Sequence, residues 1–301
     1  MFALQERIGS LTVNVMNFDS PYYDEVSDAV RFAEETFDIC CCFAGITASA
    51  GYGFDNGTGD LDIKVIYQNP SGRENTHRRI IDFENSGARY KKTDLRVIDL
   101  GFFDNLRFED NLEGYPYAPE IIIPNKRFAY DILPGHRNCK LKAFFTELFF
   151  CNKVWDDQRY IEKNKARLEG NLTVYDYLKH QFVLAHGRLN HYMREGQVRY
   201  RSYLYTSREI FALEYLLDND MLPPLDYGAL LDSVAAGMDI KDLLLEIYKK
   251  NKLPVPKNQM LTAPIIKLNT FFDAKLGELK PGIARYFSTG TDKTFQLDVV
   301  Y

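Results

Sequence analysis

No apolar run in this sequence approaches the 18 residues that a membrane helix needs, which argues against a helical membrane protein. The opening residues Met1-Phe2-Ala3-Leu4-Gln5-Glu6-Arg7 contain no long apolar h-region, so no export signal is expected and the expected location is the cytoplasm. Positive charge is also scarce. With 37 Lys and Arg against 42 Asp and Glu, the formal net charge is −5. A chain of that sign does not coat nucleic acid through bulk electrostatics, although a local basic patch stays compatible with it. No G-x-x-x-x-G-K-[ST] is present, hence no P-loop, and no G-x-S-x-G marks a nucleophile elbow. Cysteines number only five, three of them consecutive (Cys40, Cys41, Cys42), with no C-x-x-C pair; free thiols in a reducing compartment and core packing are expected. His180, His186 and His191 are spaced six and five apart, which spreads them around a helix and makes no metal pair.

What the chain does have is a folded protein's share of apolar and aromatic residues, 46% and 14%, over 301 residues. That length is enough for one large or two modest domains. Ser20-Pro21 reads as a helix start, with Val26, Ala29, Val30, Ala33 and Phe37 recurring at helical spacing behind it. Ile39–Ala44, Asp60–Tyr67, Arg78–Phe83 and the stretch from Thr93 read as strands, and Ile121-Ile122-Ile123 as a short one. After the break at Leu133-Pro134-Gly135-His136 the pattern turns helical. Helices are expected over 140–155, 174–194, 200–217, 227–234, 240–251 and 268–279, with 295–300 a last strand or a tail. These elements predict an α+β protein: a mixed-sheet domain over 1–135 and a helical domain over 136–301.

The chemistry is concentrated in Ala48-Ser49-Ala50-Gly51-Tyr52-Gly53-Phe54 and Asp60-Leu61-Asp62-Ile63-Lys64. On a strand, residues i and i+2 share a face, so Asp60 and Asp62 project together, and two adjacent carboxylates repel unless a cation sits between them. The small residues upstream offer a hydroxyl and backbone N–H groups without Cβ obstruction, as a phosphate tail requires. Lys64 shares the strand face of the two carboxylates and either pairs with them or with a phosphate, or is a surface lysine at a strand end.

An apolar strand, a Ser-containing loop and a D-x-D about ten residues on resemble the nucleotidyltransferase signature of the DNA polymerase β superfamily. Ser49 keeps that signature's serine; Ala48 stands where it has glycine. The resemblance implies two Mg²⁺ ions held by Asp60, Asp62 and a third carboxylate, and an NTP, ATP in the first place, whose phosphates meet Ser49, Ala48, Tyr52 and Gly53. In Asp94-Leu95-Arg96-Val97-Ile98-Asp99-Leu100-Gly101-Phe102-Phe103 the register of the resemblance assigns the third carboxylate to Asp94, with Asp99 in reserve.

A second set of motifs resembles, more narrowly, the nucleotidyltransferase family associated with RNA ligases and RNA repair in bacteria and their phages. Arg201-Ser202-Tyr203-Leu204-Tyr205-Thr206-Ser207-Arg208 is similar to its K-K-Y-F-Y-x-x-R segment, and Pro223-Pro224-Leu225-Asp226-Tyr227-Gly228-Ala229-Leu230-Leu231 to its P-P-x-x-F-x-x-L-L. Arg201, Tyr205 and Arg208 fall on one helix face, suited to gripping phosphate and stacking on a base. Residues 186–208 carry five arginines, with Arg188, Arg194 and Arg199 beside these two, against the single acid Glu195. The resemblance spans about residues 39–280 and implies transfer of a nucleoside monophosphate to a hydroxyl, on an RNA end or on a protein. The other readings are a non-catalytic nucleotide- or partner-binding module and a toxin–antitoxin component that nucleotidylylates a protein.

Overall fold

Alternation along residues 60–67 decides how the layers form. Leu61, Ile63, Val65 and Tyr67 are buried in one hydrophobic core, and Ile66 in another. The odd positions of the strand therefore face one layer and the even positions, Asp60, Asp62 and Lys64 among them, face the other. The structure, a computed structural model, describes residues 11–14, 22–57, 60–68, 80–84, 92–99, 152–155, 159, 162–163, 173–194, 196, 198–253, 260–288 and 295–298. The described elements are a mixture of helix and strand.

Five strands, β2 (Cys40–Ile46), β3 (Asp60–Gln68), β4 (Ile80–Glu84), β5 (Lys92–Asp99) and β6 (Asn152–Trp155), form one sheet in the order β4-β5-β3-β2-β6. Only β3 and β5 run parallel; the other neighbours are antiparallel. The odd face of β3 is covered by α1 (Tyr23–Phe37), whose Val26, Ala29, Val30 and Ala33 recur at helical spacing and are fully buried. Sequence placed the start of this helix at Ser20-Pro21. The observed N-cap is Tyr22, and no side chain caps the first turn.

Along β2 the register shifts between Cys41 and Phe43. Such a bulge lets two successive residues face one way. Cys41 and Ala44 belong to the α1 core, whereas Cys42 and Phe43 both belong to the other. Cys40, Cys41 and Cys42 form no disulfide, in line with their spacing, and burial pushes the Cys41 thiol up.

The larger core unites the even sheet face with the helices α3 (Val174–Tyr192), α4 (Tyr200–Asn219), α5 (Tyr227–Val234), α6 (Lys241–Lys252) and α7 (Ile266–Ser288). Thr173 and Asp176 form a capping box that starts α3, and the Asp226 side chain accepts from the Ala229 N–H to start α5. α7 continues nine residues past the expected end at Leu279, through Pro281. Burial of Leu276, Leu279 and Ile283 in the common core outweighs the hydrogen bond that the proline removes. Two short pairings complete the description: β1 (Leu11–Asn14) with β9 (Phe295–Asp298), parallel, and β7 (Val198–Arg199) with β8 (Met260–Leu261). Residues 295–298 are thus strand and not tail.

Two expectations fail here. Residues 152–155 were expected to end a helix and instead form β6 at the edge of the sheet, where pairing with β2 overrides a local helical periodicity. Residues 48–51, expected as loop, form the one-turn helix α2 (Ala48–Gly51). The expected strand at 121–123 and the boundary at 135 lie outside the described residues.

Phe54 is fully buried where the sheet and the helices meet. Phe54→Ala is expected to cost about 3–5 kcal/mol in urea unfolding. With a shared core, fluorescence of the single tryptophan, Trp155 in the sheet, and far-ultraviolet ellipticity of the helices should report one coincident transition.

Candidate active site

The connection from β2 to β3 is an elbow in which two glycines, Gly51 and Gly53, lie close against their surroundings. A Cβ on Gly51 would lie 2.6 Å from the Ile46 carbonyl oxygen. Gly53 has φ of +72°, and a Cβ there would lie 2.3 Å from Asp226 Oδ2. Ala48, the residue that stands in place of the signature's glycine, has φ of 55°. It holds the left-handed conformation that glycine adopts freely, at a cost of about 1–2 kcal/mol.

Helices hold this elbow from one side. The Tyr227 N–H donates to the Tyr52 carbonyl at 2.9 Å, the Tyr248 hydroxyl to the Gly53 carbonyl at 3.2 Å, and the Asn251 amide to the Phe54 carbonyl. On the other side, the N–H groups of Phe54 and Asp55 both donate to the Ser49 carbonyl, and the Tyr22 hydroxyl donates to Asp55 Oδ1 at 3.1 Å. The Thr47 N–H donates to the Asp62 carbonyl at 2.9 Å, tying the elbow to the acidic strand. The P-P-x-D-Y motif thereby acquires a physical role: Asp226 closes over Gly53, and Tyr227 packs its ring on Phe54, 5.7 Å between centroids, with its hydroxyl hydrogen-bonded to Ser207.

Asp60 and Asp62 are half-buried at the start of β3, on the face turned to the helices. In the register of β3 and β5, Asp94 is the partner of Asp62, and Asp99 is the partner of Tyr67, whose side chain belongs to the opposite face. On the next strand Asp82, which the sequence did not single out, is the partner of Asp94. The side chains of Asp82, Asp94 and Asp99 lie outside the described residues. Among the described side chains, no three of His, Cys, Asp and Glu converge on a cation-sized position. Hard carboxylate oxygens at i and i+2 on one strand face are the donors that Mg²⁺ favours, so Asp60 and Asp62 fit that ion.

The helix residues expected at the site do reach this face. Burial raises the Tyr205 hydroxyl's pKa, Arg201 and Arg188 pull it down, Asp62 pushes it up, and Ser49 is its hydrogen-bond partner. Tyr205 therefore joins the elbow, the acidic strand and two arginines. Arg208 is only 1% exposed, with its guanidinium 3.6 Å from the centroid of Tyr52. Lys64, also 1% exposed, is no surface lysine; it lies close enough to His180 on α3 for its charge to lower that histidine's pKa.

Not every residue of the basic segment belongs here. Arg194 is exposed and bonds to Asp273 at 2.9 Å, and Arg199 is exposed. Arg188 does belong, with its guanidinium 4.5 Å from the centroid of Tyr205, paired to the buried Glu209. Tyr177 and His180 on α3 complete the enclosure. Burial pushes the Tyr177 hydroxyl up to about 12, opposed by the Arg208 charge. Sequence reading weighed His180 only as a metal ligand and did not single out Tyr177 or Glu209; the acid directly after Arg208 was the available signal.

Two outcomes follow from this geometry. Ala48→Gly is expected to raise stability by about 0.5–1 kcal/mol, relief of the left-handed strain less the entropy glycine adds to the unfolded chain, and Gly53→Ala to lower it by about 2 kcal/mol. Urea titrations check both. Burial, helped by Lys64 and Arg188, brings His180 down from 6.5 to about 3. The unfolded chain then binds the extra proton first, so stability falls as pH drops below about 6.5, until pH reaches about 3. His180→Asn should make that fall shallower by at most about 1.4 kcal/mol per pH unit, read from unfolding midpoints across the range.

Residues 143–299, just over half of the chain, match the family model described as RNA repair pathway DNA polymerase beta family. The matched residues include Arg201, Tyr205, Arg208 and the P-P-L-D-Y stretch, while Asp60, Asp62 and Asp94 precede them. A comparison with curated proteins gives no match. With its helices matched over more than half its length, the chain belongs to the RNA repair pathway DNA polymerase beta family.

Proposed function

We propose that the protein transfers a nucleoside monophosphate from an NTP, ATP in the first place, to a hydroxyl, and that the acceptor is an RNA end. One observation carries this reading: Tyr205, from the family-matched helix α4, packs its ring on Phe54 of the elbow, 4.9 Å between centroids, close enough to the acidic strand for the Asp62 charge to raise its pKa. In the reaction the acceptor oxygen bonds to the α-phosphorus, the bond from that phosphorus to the bridging oxygen breaks, and pyrophosphate leaves. Two Mg²⁺ ions held by Asp60, Asp62 and Asp94 would neutralise the phosphates and the charge that develops on the reacting oxygens.

The chain's own residues supply the rest. Asp94, the register partner of Asp62, is the carboxylate assigned to take the acceptor's proton. Ser49 and the elbow hold the phosphate tail beside Ala48 and Gly53, with Lys64 beneath. Arg201 and Tyr205 face the same space and orient the nucleotide. Arg208, stacked on Tyr52, fixes the elbow's outer ring in place. The 1–135 part thus carries the chemistry and the 136–301 part presents the substrates. The left-handed backbone at Ala48 keeps the shape that glycine would give the elbow, which supports a working phosphate loop over a non-catalytic module.

Incubation with each α-labelled NTP, Mg²⁺, total RNA and cell extract is expected to label RNA. A labelled protein band instead would move the acceptor to a protein hydroxyl, and no label at all would sink the enzymatic reading. Asp60→Asn and Asp62→Asn should each lower incorporation by at least about a hundredfold while the unfolding midpoint holds.

A further inference from the structure

Beside the acidic face, α3 and α4 enclose an ion pair that phosphate binding alone does not require. Arg188 of α3 pairs with Glu209 of α4; the arginine side chain is 21% exposed and the glutamate 4%. Glu209 is sealed in, whereas Arg188 keeps one open side. The guanidinium also borders the site, because it lies over Tyr205, whose ring packs on Tyr52 and Phe54 of the elbow. The pair is also incompletely satisfied: Arg188 Nη1 meets Glu209 Oε1, while the other carboxylate oxygen, Oε2, is buried without a hydrogen-bond partner. A buried ion pair left with an unsatisfied atom is a poor source of stability, since desolvation consumes most of the attraction. It is, however, an effective way to keep a cation ordered while its ligand is away.

We propose that Glu209 is a resident counter-ion of Arg188, which the polyphosphate of the incoming nucleotide displaces, making Arg188 a further phosphate-gripping residue. The identity of the anion rests on the nucleotidyl-transfer reading; the exchange itself does not. A triphosphate carries more charge than one carboxylate and offers the guanidinium several oxygens in place of one. Once pyrophosphate has formed, recapture of Arg188 by Glu209 weakens its hold and speeds its departure. Glu209 thus sets affinity from below, by competition and not by contact with substrate.

The test is titration of the full chain with inorganic triphosphate by calorimetry, beside pyrophosphate inhibition of NTP turnover. Glu209→Gln is expected to bind triphosphate about tenfold tighter and to suffer correspondingly stronger pyrophosphate inhibition, while its unfolding midpoint without ligand falls. A lower midpoint with unchanged triphosphate affinity overturns the proposal and leaves a structural ion pair. Should Glu209→Gln fail to fold, Arg188→Met/Glu209→Met removes both charges: triphosphate affinity about tenfold below wild type supports the exchange, and affinity equal to wild type overturns it. Tighter triphosphate binding by Glu209→Gln without turnover of any labelled NTP sinks the nucleotidyl-transfer reading alone. Turnover with identical triphosphate affinity in both proteins sinks this inference alone.

Discussion

Gly51 admits no Cβ and Gly53 holds a left-handed φ beneath Asp226, and the arrangement of the site follows from these two positions. With side chains there, the chain between β2 and β3 could come neither against the Ile46 carbonyl nor under Asp226. Close approach is what lets three helix residues reach three consecutive carbonyls, those of Tyr52, Gly53 and Phe54. These bonds hold α5 and α6 against the elbow. The elbow is fixed by its backbone as well: the N–H groups of residues 51–55 are all bonded to carbonyls of residues 47–50.

Electrostatics adds a second layer to the same geometry. Arg208, Lys64 and Glu209 are almost wholly buried in a chain of net negative charge. Burying charge is unfavourable unless it is answered nearby. Here the answers are short-range: a tyrosine face for each of Arg188 and Arg208, a carboxylate for Arg188, and the half-buried Asp62 close to Tyr205. Arginine suits such a place better than lysine because its flat, weakly hydrated guanidinium stacks on rings.

Much of this was legible in the sequence where a strict periodicity met a chemical requirement. The alternation in 60–67 gave both the strand and the face of Asp60 and Asp62, and helix α5 was read to the residue. Local pattern misled at 152–155, because nothing within those residues says that an edge of β2 awaits a partner. It misled again at Pro281, where packing against distant helices decided the outcome. At the site, Arg201, Tyr205 and Arg208 were recognisable as a motif, but their division of labour was not. That Arg208 covers Tyr52 while Tyr205 meets Ser49 depends on long-range docking, which spacing along one helix does not encode. The buried state of Lys64 was equally out of reach, since it depends on α3 lying over β3.

The bulge in β2 lies within three identical residues, and this has a consequence for how the strand tolerates error. Sliding the extra residue by one place exchanges one cysteine for another, so the side chains offered to each layer barely change in volume or polarity. Pairing with β3 must therefore be indexed by what brackets the run, Ile39 in one layer and Phe43 in the other. A thiol triplet is in effect a neutral spacer: it lets the large residues choose the frame and keeps a slipped intermediate nearly isoenergetic until they do.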